Sequence, residues 1–186
     1  PMRPVFATCL SLLLVLPVAV HAAPRSVLRA GSEIGFQVTQ MGVAVSGRFA
    51  RFDARIDWVA DDPAKSSAEV SVDIGSLTTG DADADAIALD KPWLNQSAFP
   101  QAKFTSTAIR RSRGDYLADG SLTIRGRSRQ AHVPFKLTPQ ADGTLLVEGE
   151  LSIRRTDFGV GGGEWNEGEL VADEVPVRFR LRLAAP

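Results

Sequence analysis

The chain has 186 residues, with 21 Lys and Arg against 22 Asp and Glu, so its formal net charge at pH 7 is −1. This balance gives no general attraction to nucleic acids or anionic membranes, and we expect no nucleic-acid partner. Cys9 is the only cysteine, and His132 is the only histidine after the first 22 residues. Thiol, Ser-His and multi-histidine zinc chemistry all need these residue types. We therefore predict that the protein is not an enzyme and has no catalytic residue, metal site or cofactor.

The first element in chain order is an export signal. Arg3 supplies a positive charge, an apolar run covers 10–20, and small residues follow at 20–23. This order is typical of a secretory signal peptide cleaved after Ala22, and the apolar run is too short to span a bilayer. We predict a signal peptide over 1–22, a periplasmic location and a single domain over 23–186.

The rest of the chain alternates apolar and polar residues with a period of two. Near the end, for example, Val177, Phe179 and Leu181 alternate with Arg178 and Arg180. Such alternation is typical of strands with one apolar and one solvated face. Runs separated by turn residues cover 34–38, 50–58, 68–74, 104–109 (where the alternation is weak), 122–124, 131–137, 145–153 and 175–183. We predict an all-β fold of eight antiparallel strands, closed into a barrel or folded into a sandwich.

One segment breaks this alternation. Residues 80–96 are rich in alanine and begin with aspartates at alternate positions from Asp81. Acidic residues at a helix N-terminus complement the macrodipole and cap free N–H groups. A calcium loop of the EF-hand type does not fit, because its sixth position would be Ala86 and its twelfth Pro92. We predict one short helix beside or over an end of the barrel.

A glycine-rich stretch at 159–163 follows a predicted strand. It lacks the Gly-Lys-Ser/Thr of a phosphate loop, and no helix follows it, so we interpret it as a turn at the barrel rim. Arg155, Asp157 and Trp165 flank this turn and are predicted to form a mouth. There Trp165 would act as an apolar flap and Arg155 would contact an anionic head group. The alternative for Arg155 is a structural ion pair with Asp157.

The apolar strand faces are expected to meet in the barrel interior. An eight-stranded barrel is either filled by its own side chains or holds one small ligand, and small inward residues such as Ala50, Ala54 and Ala68 would leave room. Burial would then drive binding by about 0.8 kcal/mol per CH₂ group. The predicted ligand-binding residues are Ile34, Phe36, Val38, Phe52, Ile56, Val70, Val72, Phe104, Leu122, Ile124, Val133, Phe135, Leu151, Phe179 and Leu181.

Several stretches together resemble the YceI family, which comprises exported proteins with a lipocalin-like fold. They occur in order over nearly all of the predicted domain, and the ordered set is more specific than any one motif. The stretches are 32–36 (SEIGF), 45–49 (VSGRF), 98–104 (AFPQAKF), 120–126 (GSLTIRG), 155–161 (RTDFGVG) and 171–175 (VADEV).

The resemblance implies an extended eight-stranded antiparallel barrel that holds a long apolar lipid, such as a polyisoprenoid, a quinone-like molecule or a fatty amide. It also implies that the family has no established catalytic residues, and it suggests a membrane b-type cytochrome as a functional partner and a homodimer as the assembly. We therefore expect a periplasmic protein that binds or transports a lipid. One alternative is an enzyme acting on an isoprenoid lipid, with His132 or an Asp or Glu as the base; a role for His132 would require its side chain to point into the barrel. The other is a structural or partner-binding barrel without an elongated cavity.

Overall fold

The computed structural model describes residues 24–162 and 170–185. The predicted signal peptide over 1–22 and the predicted flap residue Trp165 lie outside the described residues. Within the described ranges, no helix has the length and apolar character that crossing a membrane requires.

The described chain consists mainly of strands, with one α-helix. The elements are β1 (Pro24–Gln40), β2 (Val43–Phe49), β3 (Phe52–Asp57), β4 (Ser67–Asp73), β5 (Leu77–Thr78), α1 (Ala82–Leu89), β6 (Gln101–Ser112), β7 (Asp115–Ile124), β8 (Arg127–Pro139), β9 (Leu145–Arg154) and β10 (Glu174–Leu183). Short 3₁₀ helices cover Pro63–Lys65, Ile74–Ser76 and Arg155–Phe158.

The strands form one antiparallel sheet that closes on itself. From β10 the order runs through β9, β8, β7, β6, β4 and β3 to β1, and β1 pairs again with β10. The remaining two strands continue this ring: β2 pairs with the second half of β1, and β5 pairs with β2. Therefore β2 and β3 are the two halves of one broken barrel strand, and β4 and β5 are the two halves of the next. Counted this way, the described residues form the eight-stranded barrel that the sequence predicts.

The two strand breaks lie side by side. The backbone N–H of Ala50 donates to the carbonyl of Ser76 at 3.0 Å, and that of Arg51 donates to Oγ of Ser76 at 2.9 Å. Arg51 also forms an ion pair with Asp73 at 2.8 Å. The inward position predicted for Ala50 is wrong: Ala50 is exposed because it lies in the break, whereas Ala54 is buried within β3.

A β-bulge in β6 explains the weak alternation of residues 104–109. The register with β7 shifts between Ser106 and Ala108. An extra residue in one strand reverses the side on which the following side chains point. Phe104 and Ile109 therefore both face the interior, although they are five positions apart.

The helix α1 begins at a capped position, as the aspartate pattern predicts. The side chain of Asp81 accepts the backbone N–H groups of Asp83 at 2.9 Å and Ala84 at 3.2 Å. Ala88 in the last turn reaches the barrel interior, whereas Ile87 stays exposed. The prediction of one short helix over an end of the barrel is confirmed.

The two ends of the barrel differ. The helix end carries α1 and the 3₁₀ helix Arg155–Phe158. The aromatic end, at the opposite side, carries a cluster of Trp58, Tyr116 and Phe135. The best-buried part of the core lies toward the aromatic end, where β9 and β10 bury Leu145, Val147, Leu181 and Leu183.

Candidate ligand-binding interior

The inner wall of the barrel encloses two cavities that lie end to end. The first chamber, of about 150 Å³, lies toward the aromatic end and reaches Trp58 and Phe135. The second chamber, of about 210 Å³, lies toward the helix end and reaches Trp93 and Phe158. The surface that each chamber exposes is apolar throughout. A site of this kind can bind hydrocarbon by burial. Lys103 lines the first chamber and Arg155 lines the second, but neither exposes polar surface to its chamber.

The structure places nearly all the predicted interior residues on these walls. Seven of the predicted residues line only the first chamber: Ile56, Val70, Phe104, Val133, Phe135, Phe179 and Leu181. Three of the predicted residues line only the second chamber: Phe36, Val38 and Ile124. Both chambers are lined by Ile34, Val72, Leu122 and Leu151. Phe52 is the exception, because it packs against the core cluster and lines neither chamber. That these residues bind a ligand stays a prediction.

Glycines make room for the aromatic rings of the inner wall. Gly149 stands opposite Phe179 in the ladder of β9 and β10, and a Cβ at this glycine would overlap the Phe179 ring. Gly47 stands opposite Phe36 in the same way, and a Cβ there would overlap the Phe36 ring. Each ring therefore occupies the space beside a glycine of the neighbouring strand, which the side chain of any residue other than glycine would fill. The rings therefore form part of the wall, which keeps the centre of the barrel open.

Aromatic side chains close the first chamber. The rings of Trp58 and Tyr116 meet edge to face at 4.8 Å, and those of Tyr116 and Phe135 stack at 5.4 Å. The guanidinium of Arg111 lies 5.4 Å from the centroid of the Tyr116 ring on the outer side of this cluster. Trp58 was absent from the predicted site. Its shared parity with Ile56 was the signal that could have identified it.

The second chamber is closed by segments with no strand pattern. Ala88 of α1, Trp93 and Leu94 cover it from one side, and Phe158 and Val160 cover it from the other. The prediction missed these residues, because alternation identifies only side chains carried by strands. No local pattern indicated that the segment after α1 would return to the barrel.

Arg155 is buried at the helix end, with 3% of its surface exposed. Its guanidinium donates to the backbone carbonyls of Val160, Gly161, Val171 and Ala172 at 2.9–3.1 Å. Its guanidinium carbon also lies 5.6 Å from the centroid of the Trp93 ring. The structure thus gives Arg155 backbone partners within the glycine-rich stretch and at residues 171–172, which follow it. Its contact with an anionic head group stays a prediction.

The other predicted mouth residues are placed differently. Asp157 is exposed in the 3₁₀ helix, and no ion pair joins it to Arg155 among the described residues, so the predicted structural pair is not formed there. Arg154 pairs instead with Asp173 at 2.9 Å. Hydrogen bonding to Asp173, followed by the charges of Asp173 and Asp157, raises the pKa of Arg154. Trp165 lies outside the described residues.

A second arginine holds the same end of the barrel. Arg125, in the turn between β7 and β8, donates to the carbonyls of Gly159 at 2.5 Å and Lys91 at 2.7 Å. Gly159 ends the 3₁₀ helix in the left-handed conformation, with φ of 70°. Arg125 therefore links the segment after α1 to the glycine-rich stretch, and both segments cover the second chamber.

His132 lies on the outer face of the barrel, as its strand parity predicts. Its side chain is 70% exposed, and its Nδ1 atom lies 2.5 Å from Oδ1 of Asp119. Arg110 contacts the other oxygen of Asp119 at 3.2 Å. The hydrogen bond with His132, and then that from Arg110, lower the pKa of Asp119 although burial works to raise it. His132 cannot act as a base on a molecule inside the barrel.

The described residues contain no group of three or more His, Cys, Asp or Glu that could hold a metal ion. Two acidic side chains of the outer wall instead pair with arginines of a neighbouring strand. Glu150 pairs with Arg178 at 2.6 Å, and Glu148 pairs with Arg180 at 3.6 Å. Both glutamates therefore lie on the outer face of the barrel.

The fold and sequence match one family of domains. The model for the YceI-like domain matches residues 26–183, which covers nearly all of the described chain. Among curated relatives, a UPF0312 protein of Photorhabdus laumondii is 33% identical over 94 residues, covering 50% of this chain and 49% of that protein. Protein YceI of Escherichia coli is 28% identical over 133 residues, covering 68% of this chain and 70% of that protein.

The first curated relatives are matched over about half to two thirds of their own length. The solved structures are matched more completely. The crystal structure of Burkholderia cenocepacia BcnA is 34% identical, with a TM-score of 0.81, and the match covers 86% of this chain and 99% of that one. A polyisoprenoid binding domain from Saccharophagus degradans is 18% identical, with a TM-score of 0.69, and the match covers 89% of this chain and 100% of that one. At this identity, the second match shows the shared fold alone.

Proposed function

Because the chain belongs to the family of YceI-like domains, we propose that it is a binding protein that holds a long apolar lipid inside its barrel. The ligand classes that fit are a polyisoprenoid, a quinone-like molecule or a fatty amide. The observation that carries the proposal is the pair of apolar chambers that lie end to end within one closed barrel. The Saccharophagus degradans domain that shares this fold is described as polyisoprenoid binding, which supports the same ligand class.

The shape of the interior favours a long and thin molecule. The ten residues of β10 extend about 33 Å, and at a strand tilt of about 40° the barrel is about 25 Å tall. Each CH₂ group transferred from water into the interior contributes about 0.8 kcal/mol. Affinity is therefore expected to rise with chain length until the interior is filled. The polar end of the ligand would lie at one end of the barrel, since the chamber walls are apolar.

Two observations weigh against the alternative functions. An enzyme that uses His132 on an enclosed lipid would need that side chain inside the barrel, but it is exposed on the outer wall. A purely structural barrel would have a solid core, but this interior contains two chambers. The binding function is therefore the one that the geometry supports best.

The proposal includes export and carriage in the periplasm. It is supported by the three-part pattern of residues 1–22 and by the family resemblance. A membrane b-type cytochrome as functional partner and a homodimer as assembly rest on the resemblance alone and stay predictions. Fractionation of cells that express the full chain would test the location by following the protein and the loss of its N-terminal residues.

The ligand can be tested on protein purified from a bacterial periplasm. Native mass spectrometry is expected to show a long-chain lipid bound at one molecule per chain, and extraction with organic solvent should release it. The matched variants are Ala68→Phe, which places a ring in the first chamber, and Ser67→Phe, which places the same ring on the outer face of β4. We expect Ala68→Phe to lose bound lipid and Ser67→Phe to keep it. Repeated recovery of protein without any lipid would overturn the proposal.

A further inference from the structure

The two chambers meet at a ring of residues that contribute to both walls. These residues come from six of the eight barrel strands, so they surround the interior at one level between its ends. We call this ring the waist. It consists of Ile34, Val72, Ala102, Leu122, Leu151 and Val177.

Ala102 is the smallest residue of the waist. It stands opposite Val72 in the ladder of β4 and β6, and its side chain is only half-buried although it lies in the barrel wall. The other five waist residues carry three- or four-carbon branched side chains. The waist is therefore least filled at Ala102, whose side chain is a single methyl group.

Neither chamber alone has room for a long chain. An apolar cavity of about 150 Å³ accommodates a molecule about as large as benzene. The chambers measure about 150 Å³ and 210 Å³. A molecule several times longer than benzene must occupy both chambers, and its chain must then cross the waist.

We propose that Ala102 is a specificity-determining residue that sets the length of the chain that the barrel accepts. Its methyl leaves the passage through which one unbranched or methyl-branched chain runs from the first chamber to the second. A larger side chain at this position divides the interior into two compartments that hold short molecules only. This inference rests on the proposed function and specifies its ligand as a chain one molecule wide that spans both chambers.

The test compares Ala102→Leu with Ser67→Leu, which places the same side chain on the outer face of β4, away from both chambers. The probes are geraniol, farnesol and geranylgeraniol, which contain two, three and four isoprene units. Binding to delipidated protein is measured for each probe by titration calorimetry. For the unmodified chain and for Ser67→Leu, affinity is expected to rise with every added unit.

For Ala102→Leu, the rise is expected to stop once the probe is longer than one chamber. Excluding even two CH₂ groups from the interior weakens binding about tenfold, so geranylgeraniol is expected to bind at least about tenfold more weakly than to the unmodified chain. Geraniol, which fits within one compartment, is expected to bind with nearly unchanged affinity. The smaller substitution Ala102→Val is expected to give an intermediate loss and keeps the test valid if the leucine variant does not fold.

The outcomes separate the two proposals. If the unmodified chain binds none of the probes, the proposed function is wrong for isoprenoid chains, and the inference is wrong with it. If the unmodified chain shows the rise with length and a folded Ala102 variant shows the same rise, the proposed function stands and the inference is overturned. An equal loss in Ala102→Leu and Ser67→Leu would also overturn it, because the position in the waist would then have no special effect.

Discussion

The guanidinium of Arg155 lies inside the helix end of the barrel, where backbone carbonyls surround it. Burial of a charged group is costly unless hydrogen bonds compensate for the lost water. Arg155 donates to carbonyls both before and after the segment at 163–169. The planar guanidinium group of arginine has several N–H donors in a fixed arrangement and suits this geometry, whereas the ammonium group of lysine does not. Arg155 therefore stabilises the backbone that covers the second chamber.

Replacing Arg155 is predicted to lower stability strongly. Arg155→Met leaves several buried carbonyls without donors, and each orphaned group costs about 1–3 kcal/mol, so the free energy of unfolding should fall by roughly 3 kcal/mol or more. Arg155→Lys should recover only part of it. Urea unfolding followed by circular dichroism measures both changes. The control is Arg154→Met, at an exposed neighbour whose ion pair is solvated, and it should leave the unfolding midpoint nearly unchanged. Equal effects of the Arg154 and Arg155 variants would contradict this account.

At the scale of the elements, strand irregularities position the interior side chains. The bulge in β6 brings Phe104 and Ile109 to the same face. The paired breaks at 50–51 and 74–76 bend two adjacent strands together, and Ser76 joins them through its carbonyl and hydroxyl. A closed barrel needs strands that bend and coil, which regular strands alone do not supply.

The helix α1 contributes to the interior through Ala88, and its start depends on one cap. Asp81→Ala removes the acceptor for two backbone N–H groups, and the free energy of unfolding is expected to fall by about 1 kcal/mol. Asp81→Asn keeps an acceptor and should restore most of it. Thermal unfolding measures the series, with Asp83→Ala as the control for a first-turn charge that makes no cap. A loss in Asp83→Ala as large as in Asp81→Ala would show that charge, not capping, dominates.

At the scale of the whole molecule, acidification should destabilise the barrel. Four described carboxyls have a pKa below the ordinary value. For three of them the main cause is a hydrogen bond shared with a neighbouring side chain: Asp85 with Thr79, Asp119 with His132 and Asp142 with Thr144. For Asp173, burial works to raise the pKa, but hydrogen bonds from Thr156 and Arg154 outweigh it. A group whose pKa is lower in the folded state contributes stability above its unfolded pKa and loses it as the pH falls. Stability should therefore be level near neutrality and decline below about pH 4.

This pH dependence can be measured by urea unfolding between pH 7 and pH 3. Asp142→Asn removes one titrating group and should make the decline shallower than in the unmodified chain. Because the substitution also removes the ion pair of Asp142 with Arg182, the free energy of unfolding of the variant at low pH is compared with its own value at neutral pH as well as with that of the parent. Stability that stays constant down to pH 3 would contradict the assignment.

The sequence by itself determined the all-β class, the number of strands, the short capped helix and most of the inward set of side chains. These features follow from local chemistry, because the pleat sends alternate side chains to opposite faces and an aspartate before a helix caps its free N–H groups. Phe179 and Val133, for instance, are assigned to the interior by parity alone. The same argument placed His132 outside and so weakened the enzymatic alternative.

Only the tertiary structure decided where the interior is open and where it is closed. Ala102 became a waist residue because strands distant in the sequence bring Ile34, Val72 and Leu151 to the same level. Trp93 covers the second chamber because its segment folds back after α1, and Arg155 is buried because carbonyls from two segments converge on it. Such contacts depend on how the sheet closes in three dimensions, and no local periodicity in the chain encodes that closure.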